Sequence, residues 1–279
     1  MTADNELLAA ARAAAAAAAA VHRSHLGRVA VADWTEKGAA DFVTHVDRAA
    51  EAAIAAALHS RFPGHRLLAE EEASERAAGS GVTMEANRGW VWIVDPLDGT
   101  TNSRHGYPMY GVSIAVALDG VLRAGVVLNT ASGQEWSAVH GQGACQDGTR
   151  IRVSEITDLS RALIGTGFPF KALHLLPRYT RQLDTVLRRT SGVRRAGSAA
   201  IDLCHVASGF FDGFWELSLE PWDVAAGTLI VREAGGLVTR LDGSPDVLEA
   251  GSILAGNAPI HAALGALVRA PAPVADPAC

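Results

Sequence analysis

Cysteine is scarce: Cys145, Cys204 and Cys279 are the three in a chain of 279 residues, and they lie far apart. No CxxC pair or Cys/His spacing marks a zinc site, and an odd count builds no disulfide framework. The thiols read as buried or incidental, and the chain as a protein of the reducing cytoplasm. The N-terminus lacks a basic stretch followed by a leucine-rich core, so it shows no signal peptide. Long apolar runs are missing too. The alanine run Ala13 to Ala20 is short and only weakly apolar for a membrane span, and alanine's helix propensity makes it a plain helix. Positive charge is in deficit, with 24 Lys and Arg against 30 Asp and Glu, a net −6. That argues against a generic nucleic-acid binder. It leaves a phosphate ligand open, because bound metal ions reverse the local sign of a site.

What is there is globular: 49% of residues are hydrophobic and 19% charged, enough for one large unit or two packed halves. Asn5 to His25 read as an alanine-rich helix, and Trp34 to Gly38 as a loop. Asp41-Phe42-Val43-Thr44 leads into a helix on which Val46, Ala50, Ile54 and Leu58 recur at helical spacing, stopped by Pro63-Gly64. Arg66 to Ala69 is a short strand before the acidic run Glu70-Glu71-Glu72, and Ala77 to Arg88 is a surface loop. Trp90 to Val94 is an apolar strand ending at Asp95-Pro96. Gly111 to Leu118 and Val121 to Leu128 form a hairpin about Asp119-Gly120, followed by a strand at Glu135 to Val139. The second half alternates: strand Leu163 to Thr166, helix Leu173 to Arg189 interrupted early by Pro177, and helix Ser198 to Ala207 with Ser198 as N-cap. Then come strand Phe211 to Leu217, helix Trp222 to Ala234 closed by Gly235-Gly236, strand Ser252 to Ala255 and helix Pro259 to Val268. The expected organisation is an N-terminal half over residues 1–154, a C-terminal half over 155–270 and a disordered tail over 271–279.

The chemistry concentrates in Trp92-Ile93-Val94-Asp95-Pro96-Leu97-Asp98-Gly99-Thr100-Thr101-Asn102. A buried strand runs into Asp95, and a turn there lets Asp95 and Asp98 face one pocket. Two carboxylates that close repel unless cations sit between them, and oxygen ligands suit magnesium rather than zinc. Gly99 allows close backbone approach, and Gly99-Thr100-Thr101 would open a helix whose free N–H groups can hold a phosphate. Read alone, a DxxD is an Asp-capped turn, Glu70 a solvated acid of a first helical turn, and Asp223 a helix cap.

The whole string resembles the first signature of the inositol monophosphatase family, W-x-[IV]-D-P-[IL]-D-G-T-x-N. Trp222-Asp223-Val224-Ala225-Ala226-Gly227, continuing to Glu233-Ala234-Gly235-Gly236, is similar to its second signature. Asp41-Phe42-Val43-Thr44 with Asp47, Glu70-Glu71, Gly165-Thr166-Gly167-Phe168-Pro169 and Gly197-Ser198-Ala199-Ala200 follow in the family's order, so the resemblance covers roughly residues 5 to 268.

The resemblance implies an α/β fold of layered αβαβα type, often a homodimer, and a lithium-sensitive phosphatase using two or three Mg²⁺ ions. It implies Glu70, Asp95, the Leu97 carbonyl, Asp98 and Asp223 as metal ligands, and Gly99 and Thr100 as the phosphate-binding turn. Thr100 and Asp47 match the pair that orients and deprotonates the attacking water, with Glu70 taking part in catalysis. Ser198, Ala199 and Glu216 match contacts to the substrate's alcohol, and His105 has no chemical role. Lys37 is a candidate contact to phosphate or metal-bound water, set against the ordinary solvated lysine. Ala69 stands where the family has Gly, and Ser103 where it has an aromatic; neither removes a ligand. No GxSxG or other nucleophile signature appears.

The leading expectation is hydrolysis of myo-inositol 1-phosphate. The same superfamily offers histidinol phosphate, fructose 1,6-bisphosphate and 3′-phosphorylated nucleotides. A different class is a regulatory protein that binds RNA or the transcription machinery, with phosphatase chemistry secondary. Acidic charge and the intact ligand set weigh against nucleic acid as the main partner, and no membrane partner is expected.

Overall fold

Val46, Ala50, Ile54 and Leu58 are all buried, as one face of a helix laid on a sheet requires. The computed structural model describes residues 3–25, 35–38, 41–43, 45–76 and 89–269. The first half runs α1 (Ala3–His25), β1 (Thr35–Gly38), β2 (Asp41–Val43), α2 (His45–Arg61), β3 (Arg66–Ala69), α3 (Glu70–Arg76), β4 (Trp90–Asp98) and α4 (Thr100–His105). Its strands continue with β5 (Gly111–Leu118), β6 (Val121–Asn129), β7 (Glu135–Val139), β8 (Gly143–Gln146) and β9 (Thr149–Arg150). The second half holds β10 (Leu163–Thr166), α5 (Leu176–Leu187), β11 (Gly192–Arg194), α6 (Ala199–Ala207) and β12 (Gly213–Leu219). It ends with α7 (Pro221–Glu233), β13 (Leu237–Thr239), β14 (Gly251–Gly256) and α8 (Ala258–Arg269).

Strands β3 to β9 lie in sequence order in one seven-stranded sheet, antiparallel except for the parallel pair β3 and β4. The other sheet has five strands in the order β11-β10-β12-β14-β13. Alternation along β4 then divides the core. Trp92 and Val94 pack on Leu7, Ala11, Ala14 and Ile54 of α1 and α2. Val91 and Ile93 turn to the opposite face, where Ile201 and Leu203 of α6 and Leu229 and Ile230 of α7 await them. Those two helices also cover Phe214 and Ile253 of the second sheet. The far face of that sheet, with Ile164, Trp215 and Leu254, packs on Tyr179 and Val186 of α5 and Ile260 and Leu264 of α8. The result is the five-layer αβαβα arrangement, with α6 and α7 as the shared central layer.

Three local expectations are corrected. Residues Thr35 to Gly38, read as loop, form a strand paired with Asp41–Val43. Strand β4 does not stop before Asp95-Pro96 but continues through it to Asp98, by an irregularity described below. Pro177 does not interrupt a helix. A 3-10 turn covers Leu173–Leu175, and α5 begins at Leu176 with proline in its first turn, where its missing N–H costs nothing. The Lys37 side chain, the segment 77–88 and the tail 271–279 lie outside the described residues. Among the described residues no helix is long and apolar enough to cross a membrane.

The central layer is drawn tight at Gly227, where an added Cβ would stand 2.6 Å from Leu203 Cδ1 and 2.7 Å from Leu203 Cβ. Gly227→Ala must push α6 and α7 apart. It is expected to lower stability by about 1–3 kcal/mol, as overpacking does, read as a lower urea midpoint at unchanged slope.

Candidate functional site

Asp95 pairs with Ser113 of β5, and Asp98 with Gly111. Three residue steps on β4 therefore face two on β5, which is a bulge of one residue. In a regular strand, Asp95 and Asp98 would point to opposite faces; one inserted residue brings them into phase. Pro96 sits inside the bulge, a place where a strand tolerates its missing donor. The Leu97 N–H donates to Asp95 Oδ1 at 2.9 Å and fixes that buried side chain. Gly99 follows with φ +85°, and a Cβ there would lie 2.7 Å from the Met109 carbonyl oxygen, so the turn into α4 requires glycine.

The second half closes on this turn through several bonds. Ser198 Oγ donates to Asp98 Oδ2 at 2.6 Å, and the Ala200 N–H donates to the same oxygen at 2.8 Å. Ser198 Oγ also accepts from the Ile201 N–H, which makes it the N-cap of α6. Asn102 Nδ2 donates to the carbonyls of Met109 and Ala196, tying α4 to the segment before α6. Ser113, opposite Asp95, donates to the carbonyl of Trp222, the neighbour of Asp223. Asp223, in the first turn of α7, accepts from the Glu220 N–H at 2.8 Å, so it caps the helix and also reaches the site.

One cavity of about 380 Å³ gathers Glu70, Asp95, Leu97, Asp98, Gly99, Thr100, Ala199, Glu216 and Asp223 on its lining. Asp47 and Ser198 stand directly behind it. Thr100 Oγ1 lies 3.2 Å from Asp47 Oδ1 and 3.0 Å from the Leu97 carbonyl oxygen, so its one proton is within reach of both acceptors. The Ser198 hydroxyl, matched to the substrate, is turned instead to Asp98 and the helix cap. His105 is exposed at the end of α4.

Electrostatics set the character of the cavity. Burial, reinforced by the charges of Glu70, Asp98 and Asp223, pushes the Asp95 carboxyl well above the ordinary carboxylate range. Burial also raises Asp223 strongly, with Asp98 and Glu70 adding to it. Asp98 rises by burial too, against the pull of the Ser198 and Ala200 hydrogen bonds. Asp98 and Asp223 keep some accessible surface, but it opens into a cavity deep enough for burial to govern them. Among the described residues no three such side chains are already gathered as one ligand shell; the carboxyls stand around a cavity. That arrangement fits Mg²⁺, a hard ion that keeps several waters and binds through one or two carboxylates plus substrate oxygens. A divalent cation among these groups would offset the burial, and at Asp95 and Asp223 the repulsion, that raise them.

Glu216 is pushed up to about 8 by burial and by Asp223, with Arg195 and Lys171 opposing the shift. Its carboxyl lies over Gly167, where a Cβ would come within 1.9 Å of Glu216 Cδ; the glycine of the Gly165–Pro169 block is the room Glu216 occupies. Asp202 also lines the cavity. It is buried, raised well above the usual range by burial and by Glu216, and its Oδ1 meets no hydrogen-bond partner among the described residues.

Asp202 was not singled out from sequence, nor were Arg195, Lys171 and Glu51. Arg195 lies 5.2 Å from the ring centres of both Phe168 and Phe170. Glu51 accepts from the N–H groups of Glu71 and Glu72 and so caps α3, whose first residue is Glu70. A helical spacing signal places Asp202 on α6, but only the fold shows which groups it meets.

The chain matches the family model described as "Inositol monophosphatase family" over residues 3–271. "Nus factor SuhB" of Pseudomonas aeruginosa is 45% identical over 239 residues, covering 85% of this chain and 86% of the relative. "Inositol-1-monophosphatase" of Mesorhizobium japonicum is 43% identical over 235 residues, with 84% and 85% covered. The solved structure of extragenic suppressor protein suhB from Bartonella henselae superposes with a TM-score of 0.85 at 37% identity, covering 95% of this chain and 98% of that one.

Ser198→Ala removes both a helix cap and a bond to a buried carboxyl, and is expected to cost about 1–2 kcal/mol in urea unfolding without bound ligand. A side chain that serves only the cavity's contents would leave that midpoint unchanged.

Proposed function

The chain belongs to the inositol monophosphatase family, and on that premise we propose that it hydrolyses a small polyol phosphate, with myo-inositol 1-phosphate the leading substrate. The observation that carries the reading is the joining of Glu70, Asp95, Asp98 and Asp223 with the Gly99-Thr100 turn and Glu216 on one cavity. At about 380 Å³ it lies at the small end of ligand sites.

In this reading Glu70, Asp95, the Leu97 carbonyl, Asp98 and Asp223 hold two or three Mg²⁺ ions. Bound there, magnesium neutralises the ester's charge, makes water acidic and stabilises the leaving oxygen. The N–H groups of the Gly99-Thr100-Thr101 turn hold the phosphate oxygens. Thr100 Oγ1, whose single proton can go to Asp47, has lone pairs to accept from the attacking water. As the water's proton passes to Thr100 Oγ1, the threonine proton moves onto Asp47 Oδ1. Ala199 and Glu216 meet the alcohol, while the Ser198 hydroxyl holds Asp98 in place. No covalent enzyme intermediate is needed, and positioning with electrostatics supplies the rate. The same reading has the protein act as a homodimer, as the resemblance implies, in the reducing cytoplasm that its few unpaired cysteines suit.

The second reading is that the chain also acts as a Nus factor, the printed name of its Pseudomonas relative. It retains the regulatory alternative, with RNA or the transcription machinery as partner. Co-purification of RNA polymerase with the wild-type protein, preserved in a variant that has lost hydrolysis, would support it; failure to bind either polymerase or RNA would remove it.

Chelation is expected to abolish phosphate release and Mg²⁺ to restore it, with lithium inhibiting. Asp95→Asn should lower kcat by roughly a hundredfold or more while circular dichroism stays native. Full activity after exhaustive chelation overturns the metal assignment.

Glu216→Gln keeps shape but weakens acceptance from substrate hydroxyls, worth about 1.5–3 kcal/mol for a charged acceptor. Inositol 1-phosphate should lose kcat/KM by about tenfold or more, and a phosphate ester without ring hydroxyls should lose far less. Equal losses on both substrates would exclude Glu216 as a polyol contact.

A further inference from the structure

Helix α6 runs through the central apolar layer, where Ile201, Leu203, Cys204 and Val206 are all buried. One acid interrupts this series. Asp202 is 1% exposed, and it lines the cavity. Its N–H donates to the Ser198 carbonyl as part of the helix, but its Oδ1 meets no donor among the described residues. Burial pushes the carboxyl up; Glu216 is the neighbouring charge that adds most, Asp98 the next, and Arg195 opposes them. A buried carboxyl without a donor is destabilising, whether it is charged or neutral. The helix dipole favours an acid in a first turn. Ser198 already caps the start of α6, however, and a dipole supplies no hydrogen bond to Oδ1. The fold alone would favour an apolar residue here, and a residue at odds with its surroundings points to a task in the cavity.

Resting on the phosphatase reading, we propose that Asp202 is a specificity-determining residue of this cavity, a second carboxyl beside Glu216 that binds hydroxyl groups of a polyol phosphate. The two carboxyls come from different elements. Asp202 enters from the first turn of α6, and Glu216 from β12 with its carboxyl over Gly167. A buried polar group on a cavity wall is complemented by what enters the cavity. A hydroxyl donates to Asp202 when the carboxyl is charged and accepts from it when it is protonated, so the role holds in either state. An alcohol without further hydroxyls brings no such group and leaves Asp202 buried and unpaired. Discrimination then comes from a penalty on the wrong ester as well as from affinity for the right one. No bond is made or broken in this role.

The test compares two phosphonates, in which carbon replaces the ester oxygen so that no turnover intervenes. These are the phosphonate analogue of myo-inositol 1-phosphate and benzylphosphonate, titrated calorimetrically at saturating Mg²⁺. Asp202→Ala removes the carboxyl and needs no extra space. It is expected to bind the inositol analogue about tenfold more weakly and benzylphosphonate within about twofold of wild type. Asp202→Asn keeps a group that can donate and accept, and should recover part of the loss. With inositol 1-phosphate itself, KM should rise more than kcat falls. Neither variant should lower the urea midpoint of the protein without phosphonate, since removing a carboxyl that no described residue holds does not weaken the fold. A lowered midpoint in either variant marks a structural residue and overturns the proposal, as do equal losses on the two phosphonates or no loss on either. Failure of the phosphatase reading is separate. A wild-type protein that prefers the inositol analogue yet hydrolyses no ester would reject that reading, and Asp202 would still be judged by the titrations. A wild-type protein without that preference would overturn the Asp202 proposal itself.

Discussion

Four carboxyl groups from different parts of the chain face one small cavity and repel one another, and the rest of the architecture can be understood as what holds them there. Asp95 and Asp98 come from a strand of the large sheet, Glu70 from the helix after its parallel neighbour, and Asp223 from the first turn of the central helix α7. Repulsion in a buried setting raises carboxyl pKa values and would drive the groups apart if their backbones could yield. They cannot yield easily. Asp98 is held by two donors at the start of α6, Asp95 by the Leu97 N–H, and Asp223 by the Glu220 N–H. Helices α6 and α7, at whose starts the Asp98 and Asp223 donors lie, are clamped between two sheets by a continuous apolar core. Stability won in the core is thus spent on a cluster whose anionic state calls for cations.

The site also depends on departures from regular structure, and these repeat on both sheets. The bulge between Asp95 and Asp98 has a counterpart in β12. There Glu216 pairs with Ile253 and Leu219 with Gly251, again three steps against two. Ser218, within that second irregularity, has φ +60°, uncommon for a residue with a side chain. Each bulge aims a carboxylate strand into the cavity at the point where ladder pairing would otherwise direct its side chains by simple alternation. Gly99 and Gly167 supply the remaining room, the first by its left-handed backbone and the second by leaving space for Glu216.

Much of this was legible because it is local. The helical spacing of Val46 to Leu58, the apolar run of β4, the hairpin at Asp119-Gly120 and the N-cap at Ser198 each depend on residues a few positions apart. The layered fold and the cavity residues came from motif strings whose spacing is equally local. What stayed hidden depends on distance in sequence. Glu51 caps α3 across 20 residues, Asn102 reaches Ala196 across 94, and Ser198 reaches Asp98 across 100. No periodicity announces such pairs. The strand at Thr35–Gly38 was missed because Thr-Glu-Lys-Gly has no apolar alternation. Strand β4 was cut short because proline ordinarily ends a ladder, and only the partner strand reveals that it sits in a bulge.

Charge at the proposed alcohol side bears on which ester the cavity takes. The charge of Glu216 raises Asp202 there, and the nearby guanidinium of Arg195 is engaged with two aromatic rings. Fructose 1,6-bisphosphate or a 3′-phosphorylated nucleotide would bring a second phosphate toward these carboxyls, whose burial Arg195 and Lys171 offset only in part at Glu216. A neutral polyol brings hydroxyls instead. These can donate to a carboxylate or accept from a protonated carboxyl, so they suit the pair in either state of charge. The buried Asp202 Oδ1, without a hydrogen-bond partner among the described residues, adds to the argument, since a buried polar atom on a cavity wall is satisfied by whatever fills the cavity. Water or a hydroxyl can do so in either state of the carboxyl, by donating to it or by accepting from it. On the proposed reading, the balance of groups therefore leans toward a hydroxyl-rich monophosphate over its bisphosphate relatives, for reasons of charge rather than of family likeness.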